Sequence, residues 1–115
     1  MNQINPNHTA HLHESISLYI EASNSFDAQA AAACFAPDAT VHDDEHDYTG
    51  IEAIESWISE SISKYHAHAT VTHALQDGEK TALTVKVAGQ FPGSPVELKF
   101  DFFLRQGKIA QLSIE

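Results

Sequence analysis

Cysteine, basic residues and long apolar runs are all scarce in this sequence. It contains one cysteine, Cys34, and no lysine or arginine among its first 63 residues. A single cysteine excludes an internal disulfide, and after the run Ala30–Ala33 it is typical of a small buried hydrophobic residue. No apolar run approaches the roughly 18 residues that a membrane span requires, and the polar start M-N-Q-I-N-P-N lacks the basic and apolar segments of a signal peptide. We therefore expect a cytoplasmic protein with no membrane partner.

The charge of the chain is strongly negative and unevenly distributed. Sixteen acidic residues against six basic ones give a net charge of −10 with neutral histidines. This excess argues against nucleic acid and anionic membrane surfaces as partners. Two interpretations of the uneven distribution stay open. Either helix faces are simply acidic while strand edges carry the lysines, or acidic helices repel anionic ligands from a pocket and favour neutral or cationic ones.

The length allows one domain. A chain of 115 residues with 43% hydrophobic content can build a single core and a pocket, but not two domains. Residues 1–7 are expected to be a flexible tail, and residues 8–115 to form the domain.

Three segments show the periodicity of helices. The first, about residues 8–23, places one apolar stripe at helical spacing. The second is expected to begin at a capping Asp27 and to run to Phe35, where Pro37 ends it. The third runs from Ile51 to about Lys64. The stripe residues are Leu12, Ile16, Tyr19 and Ile20 in the first helix, and Ile51, Ile54, Ile58 and Ile62 in the third.

The remaining segments alternate with a period of two, which is typical of strands. A short strand is predicted before the third helix, with Ala39, Val41 and Asp43 on one face, and residues 44–49 are expected to be an acidic loop. Four further strands follow, separated by short turns; they are predicted at residues 67–76, 81–91, 96–104 and 109–114. This order of elements predicts an α+β fold with the helices on one face of a curved, mostly antiparallel sheet.

Four segments, by their order and spacing, resemble the SnoaL-like branch of the nuclear transport factor 2-like superfamily, to which the ketosteroid isomerases also belong. The segments are F-A-P-D-A-T-V-H-D (35–43), Y-T-G-I-E-A-I-E-S-W (48–57), G-Q-F-P-G-S-P-V-E-L (89–98) and G-K-I-A-Q-L-S-I (107–114). The resemblance covers about residues 8–115. It implies a cone-shaped α+β barrel of three helices on a curved sheet, a deep apolar pocket and commonly a homodimer. It implies no single reaction, because the fold hosts isomerases, cyclases, hydrolases, dehydratases and binding domains.

The ketosteroid isomerases indicate which catalytic residues this resemblance implies. They use a carboxylate base at the end of the first strand, with a tyrosine on the first helix and a protonated aspartate on a later strand as oxyanion donors. Asp43 matches the base, and Tyr19 matches the tyrosine. Asp101 lies in the strand of the second acid, but alternation with its apolar neighbours sends it to the opposite face. Ile58 stands where a supporting tyrosine would fall, so the resemblance implies half of an oxyanion hole and argues against steroid isomerisation.

The candidate site is therefore an interior pocket beside the first strand. Asp43 and Tyr19 are its candidate catalytic residues. Two other interpretations stay open: Asp43 in a solvated acidic loop, and Tyr19 as a core tyrosine. The candidate pocket-lining residues are Phe35, Val41, Trp57, Phe100 and Phe102.

Eight histidines invite a metal hypothesis. The segment H-D-D-E-H-D (42–47) has ligand types that zinc accepts, but adjacent loop residues rarely close a tetrahedron without a further ligand. His66 and His68 are expected to share a strand face and could chelate. The favoured interpretation is scattered surface histidines, with no metal and no cofactor.

Two functions from different classes remain open. The first is an acid/base enzyme, such as an isomerase or cyclase, in which Asp43 moves a proton and Tyr19 hydrogen-bonds a developing oxyanion on a small, apolar, neutral molecule. The second is a non-catalytic ligand-binding or dimerisation module. Because the strand face turned away from the pocket is mixed polar, we also expect a homodimer through the sheet face.

Overall fold

The computed structural model describes residues 12–115. The predicted tail and the first residues of the predicted first helix lie outside the described residues. The elements, in chain order, are α1 (Glu14–Asn24), α2 (Ala28–Ala32), β1 (Phe35–Asp43), β2 (His46–Thr49), α3 (Ile51–Tyr65), β3 (His68–Asp77), β4 (Lys80–Ala88), β5 (Val96–Arg105) and β6 (Lys108–Ile114).

Within residues 12–115, six strands form one open sheet in the order β2-β1-β6-β5-β4-β3. β1 and β6 pair in parallel, and every other pair of neighbours is antiparallel. Helices α1 and α3 pack against one side of this sheet and α2 packs against both of them, so the predicted α+β class on a mostly antiparallel sheet is confirmed. No helix among residues 12–115 is long and apolar enough to cross a membrane.

The two long helices bury one stripe each. In α1 the buried apolar residues Ile16, Tyr19 and Ile20 recur at helical spacing, because side chains three and four residues apart share a face. In α3 the buried residues Ile54 and Trp57, followed by Ile58, form the equivalent stripe. Burying each of these large side chains stabilises the fold by about 1.5–3 kcal/mol.

The second helix is shorter than the sequence predicted. Asp27 does cap it, since its Oδ1 accepts a hydrogen bond from the Ala30 N–H at 3.1 Å, but the helix has five residues and Phe35 already belongs to β1. The prediction of a helix through Phe35, ended by Pro37, is therefore wrong. Alanine favours helix, yet Phe35 is buried and lies opposite Ile109 of β6. Pro37 sits where the β1–β6 register shifts, at a position where a strand tolerates a missing N–H.

The predicted acidic loop is also wrong from residue 46 onwards. Residues 46–49 form β2, antiparallel to β1, with Asp43 opposite His46. The connecting residues Asp44 and Glu45 have φ angles of 53° and 62°. Two-residue hairpin turns require such positive angles, and sequences usually supply them with Asn-Gly or Asp-Gly. The hairpin adds β2 beside β1, with Asp43 at the end of β1 next to the turn.

The strand alternation gives the sheet two different faces. On the inner face, Leu83 and Val85 of β4 and Phe100, Phe102 and Leu104 of β5 are buried beneath the helices. The outer face is mixed polar and carries cross-strand neighbours of opposite charge. Lys86, for example, lies opposite Glu97. The hydrophobic core therefore lies on one side of the sheet only.

Two close contacts hold β3 and β4 against the helices. The Asn24 amide donates from Nδ2 to the Ala69 carbonyl at 2.9 Å and accepts on Oδ1 from the Ala69 N–H at 2.8 Å. At Gly89, a Cβ atom would lie 2.6 Å from the Tyr65 carbonyl oxygen, which already accepts the Gln90 N–H at 2.7 Å. Only glycine permits this approach, and the end of α3 is thereby fixed over the end of β4.

Candidate functional site

A cleft of about 990 Å³ opens between the inner face of the sheet and helices α1 and α3. The exposed lining residues Asp44, Glu45, Glu60 and Glu115 mark its mouth. Its walls are largely apolar and aromatic. The lining residues that matter most below are Tyr19, Ser23, Asp43, Tyr48, Trp57, Lys64, Tyr65, Phe91, Leu98 and Phe100.

Asp43 reaches the cleft and is held there by α3. It ends β1 on the same face as the buried Ala39 and Val41, because alternate strand residues share a face. The Trp57 indole N–H donates a hydrogen bond to Asp43 Oδ2, with 3.1 Å between the two atoms. The Trp57 ring in turn stacks on Tyr48 of β2, with 5.9 Å between ring centroids and 27° between the planes. One carboxylate oxygen therefore has a fixed protein donor, which orients the group towards the cleft.

Tyr19 lies on the opposite wall, on α1. Its ring packs edge-on against Phe35 and Phe102, with centroids 5.4 Å and 6.0 Å away. Burial raises the pKa of the Tyr19 hydroxyl well above its ordinary value; the neighbouring Ser23 hydroxyl partly opposes the rise, and the negative charge of Asp43 adds to it. Tyr19 therefore keeps its proton at neutral pH and can act only as a neutral hydrogen-bond donor or acceptor.

The other predicted lining residues divide into two groups. Trp57 and Phe100 line the cleft together with Tyr19 and Asp43. Phe35, Val41 and Phe102 are buried in the core behind the cleft wall and do not form part of its lining. They support the site from beneath, since Phe35 and Phe102 pack on the Tyr19 ring.

Sequence reasoning misses two aromatic lining residues, Tyr48 and Phe91. The sequence predicts Tyr48 in a loop, but it belongs to β2 and its ring stacks on Trp57. Phe91, predicted on a strand, follows β4 and packs edge-on against Tyr65 with centroids 5.7 Å apart. The signal in the sequence is a series of three aromatic residues around the third helix. Tyr48 precedes this helix, Trp57 lies in its middle and Tyr65 ends it.

The structure also tests the predicted position of Asp101 and the metal hypothesis. Asp101 is exposed on the outer face, opposite Ala82 and Ser113, as the alternation predicts. His66 does not share a strand face with His68, because it ends α3 in the left-handed conformation with φ of 46°. Within residues 12–115, no three His, Cys, Asp or Glu side chains gather in an arrangement for a metal ion.

His42 points away from Asp43 and contacts β2. Its Nδ1 lies 2.6 Å from Asp47 Oδ1, across the exposed side of the hairpin. This hydrogen bond raises the pKa of His42 above its ordinary value, and the charges of Asp47, Asp43 and Glu45 add to the rise. On one face of the hairpin, Asp43 and Tyr48 contact Trp57 of α3. On the other face, the His42–Asp47 pair joins the two strands.

Three helices on one side of a six-stranded, mostly antiparallel sheet within residues 12–115 are the arrangement of the nuclear transport factor 2-like fold, which solved structures of similar shape share. The sequence matches the family model of the SnoaL-like domain over residues 16–112, and the chain belongs to that family. No curated protein matches the chain significantly.

Solved structures agree with this assignment. The chain is 34% identical to a "putative polyketide cyclase" from Sinorhizobium meliloti, with a TM-score of 0.89 over 93% of this chain and 98% of that one. A protein with a ketosteroid isomerase-like fold from Catenulispora acidiphila, in complex with trimethylamine, shares 21% identity and a TM-score of 0.80 over 89% and 84%. An epoxide hydrolase/cyclase-like enzyme in pyran ring formation of salinomycin shares 20% identity and a TM-score of 0.76 over 88% and 86%. At these lower identities the similarity shows the fold alone.

Proposed function

We propose that this protein is an acid/base enzyme of the SnoaL-like family that acts on a small, largely apolar molecule bound in the cleft. Asp43 removes or shuttles a proton, and Tyr19 donates a hydrogen bond to the oxygen on which negative charge develops. Isomerisation and cyclisation are the reaction types that such a pair serves.

The observation that carries this proposal is the hydrogen bond from the Trp57 indole to Asp43 Oδ2 inside an apolar cleft. A general base needs a fixed orientation as well as access to the substrate. Trp57 supplies the orientation through one oxygen and leaves the other oxygen of the carboxylate for a substrate proton. Tyr19, which keeps its proton, supplies a donor from the opposite wall.

The test is proton abstraction measured as deuterium uptake. Small apolar ketones, lactones and polyketide-like phenols are incubated with the protein in deuterated water, and NMR detects exchange at the carbon next to the carbonyl. In the Asp43→Asn variant we expect the exchange rate of any active compound to fall by a factor of about 10² or more. The asparagine oxygen can still accept the Trp57 N–H, so the cleft should keep its shape.

Asp101→Asn is the matched control, because Asp101 is an exposed aspartate on the outer face. It should exchange at the wild-type rate. Equal rates in wild type and Asp43→Asn, with a confirmed substrate, would show that Asp43 is not the base.

A second candidate function is a non-catalytic binding module. It is supported by the carboxylate being tied to Trp57, which is also what a receptor for a polar group requires, and by the similar fold that holds trimethylamine in the Catenulispora protein. Native mass spectrometry after gentle purification separates the two functions. A retained small molecule that is chemically unchanged after prolonged incubation supports binding alone.

A homodimer through the outer sheet face is part of the proposal. Leu75 of β3 is 74% exposed there, and Phe103 of β5 lies on the same face, only half-buried. Opposite charges also face each other across β4 and β5, as in Lys86 and Glu97. A face with apolar residues and both charge signs can complement itself under a two-fold axis.

A further inference from the structure

We infer that the cleft is selective for organic cations, namely molecules with an apolar body and a protonated amine or quaternary ammonium group. The inference rests on the proposed function and assigns the charge class of its ligand. The sequence led us to expect a neutral molecule and left a cationic one open; the inference assigns the cation.

The first observation is the charge at the cleft. Among residues 12–115, its lining contains five carboxylates, at Asp43, Asp44, Glu45, Glu60 and Glu115, and a single lysine or arginine, Lys64. Four of the carboxylates are exposed at the mouth, and Asp43 lies further in. Carboxylates around a low-dielectric cleft focus a negative potential into it, which attracts cations and repels anions.

The basic residues lie elsewhere. None occurs before residue 64, and the other five belong to β4, β5, β6 or their turns. Lys86 and Lys99 are on the outer face of the sheet, and Arg105 and Lys108 contact Asp38 and the Ala33 carbonyl at the far end of β1. The cleft is therefore negative because of where the charges sit and not only because the whole chain is acidic.

The second observation is the aromatic composition of the walls. Six of the ten aromatic residues of the chain line the cleft, including the single tryptophan and all three tyrosines. Trp57 and Tyr48 form a stacked pair beside Asp43. The Lys64 ammonium lies over the Tyr65 ring, with 5.5 Å between Nζ and the ring centroid. Aromatic faces bind cations through the ring quadrupole, tryptophan best of all.

The third observation is a polar position on the α1 wall. Ser23 lines the cleft, and its hydroxyl, shielded from solvent, interacts with the hydroxyl of Tyr19. This hydroxyl pair makes the α1 wall polar at one position, which suits a ligand with a hydroxyl or carbonyl at its other end.

The test compares three probes of similar size that differ in charge. They are benzyltrimethylammonium, its neutral carbon isostere neopentylbenzene, and phenylacetate, all in the same low concentration of cosolvent. Quenching of Trp57 fluorescence reports binding, since the chain has one tryptophan, and NMR shifts of backbone amides locate the probe. We expect the cation to bind roughly tenfold or more tightly than the isostere. This selectivity should shrink when ionic strength rises from about 0.02 M to about 0.3 M.

Two substitutions on α3 test the charge effect in both directions, one removing a negative charge and one a positive charge. Glu60→Gln should weaken binding of the cation about twofold, and Lys64→Gln should strengthen it by a similar factor, while neither changes binding of the isostere. Glu97→Gln and Lys86→Gln on the outer face are the matched controls and should leave all three probes unaffected.

The outcomes separate this inference from the proposed function. If the isostere or phenylacetate binds as tightly as the cation, the charge class is wrong, while the acid/base proposal stands. If no probe perturbs the cleft, the inference also fails, and the deuterium-uptake experiment judges the enzyme independently.

Discussion

Trp57 connects the packing of this protein to its candidate chemistry. Its ring is a core residue of α3, only 8% exposed, while its N–H holds the Asp43 carboxylate. From the sequence, Trp57 could be predicted to pack against the pocket, because its position next to the helix stripe is visible. The hydrogen bond could not be predicted, because its geometry depends on how α3 crosses the end of β1.

The Trp57–Asp43 hydrogen bond should make a measurable contribution to stability. Trp57→Phe keeps an aromatic ring against Tyr48 but removes the N–H, and Asp43→Ala removes the acceptor. A double-mutant cycle on the free energy of unfolding should give a coupling of about 1 kcal/mol, below the usual value for a charged acceptor because Asp43 is partly exposed. Far-UV circular dichroism is the right probe, since Trp57→Phe removes the only tryptophan. Additive single variants would contradict the hydrogen bond.

The elements show where sequence reasoning succeeds. α1, α3 and β3 to β6 follow strong apolar periodicity, so their existence and inner faces could be predicted. β2 could not, because His46–Thr49 exposes nearly every side chain and its turn uses Asp44 and Glu45 without a glycine. The start of β1 could not either, since an alanine-rich run favours helix until Phe35 meets Ile109 from the far end of the chain.

The β1–β2 hairpin carries a pH-sensitive contact. The hydrogen bond with Asp47 raises the pKa of His42 above 6.5. A raised pKa in the folded state means that protonation stabilises the fold. The contribution is fully present below the unfolded value of 6.5 and is lost as pH rises through the raised value. We expect NMR titration of His42 to show the raised pKa, and Asp47→Asn to lower it.

The control for this titration is Asp77→Asn, at the turn between β3 and β4, which should leave His42 unchanged. The difference in unfolding free energy between wild type and Asp47→Asn should be small, because the pair is exposed, and largest at mildly acidic pH. An unchanged His42 titration in Asp47→Asn would contradict the assignment of Asp47 as the main cause.

At the scale of the whole molecule, the two faces of the sheet separate two tasks. The inner face and the helices enclose the cleft, with carboxylates at the mouth. The outer face carries lysines, acids and the exposed Leu75. Assembly through the outer face would leave the mouth of the cleft open to ligand.

The dimer can be tested with one substitution on each side of the molecule. Leu75→Glu places a charge in the outer face and should shift the protein from dimer to monomer in sedimentation velocity. Leu18→Glu is the matched control, because Leu18 is 46% exposed on α1, away from the sheet. A wild-type monomer at micromolar concentration, or a Leu75→Glu dimer of undiminished affinity, would show that the outer face is not the interface.

The Asn24 amide, which pairs with both backbone groups of Ala69, also bears on how this sheet ends. Within residues 12–115, β3 is an edge strand of the sheet, so its outer side offers a template to which a foreign chain could add. The Asn24 side chain makes the two hydrogen bonds that a residue of a neighbouring strand would make, so Ala69 at the start of β3 is not available for pairing. Any strand that adds to this border must therefore start beyond Ala69, along residues 70–77 of β3.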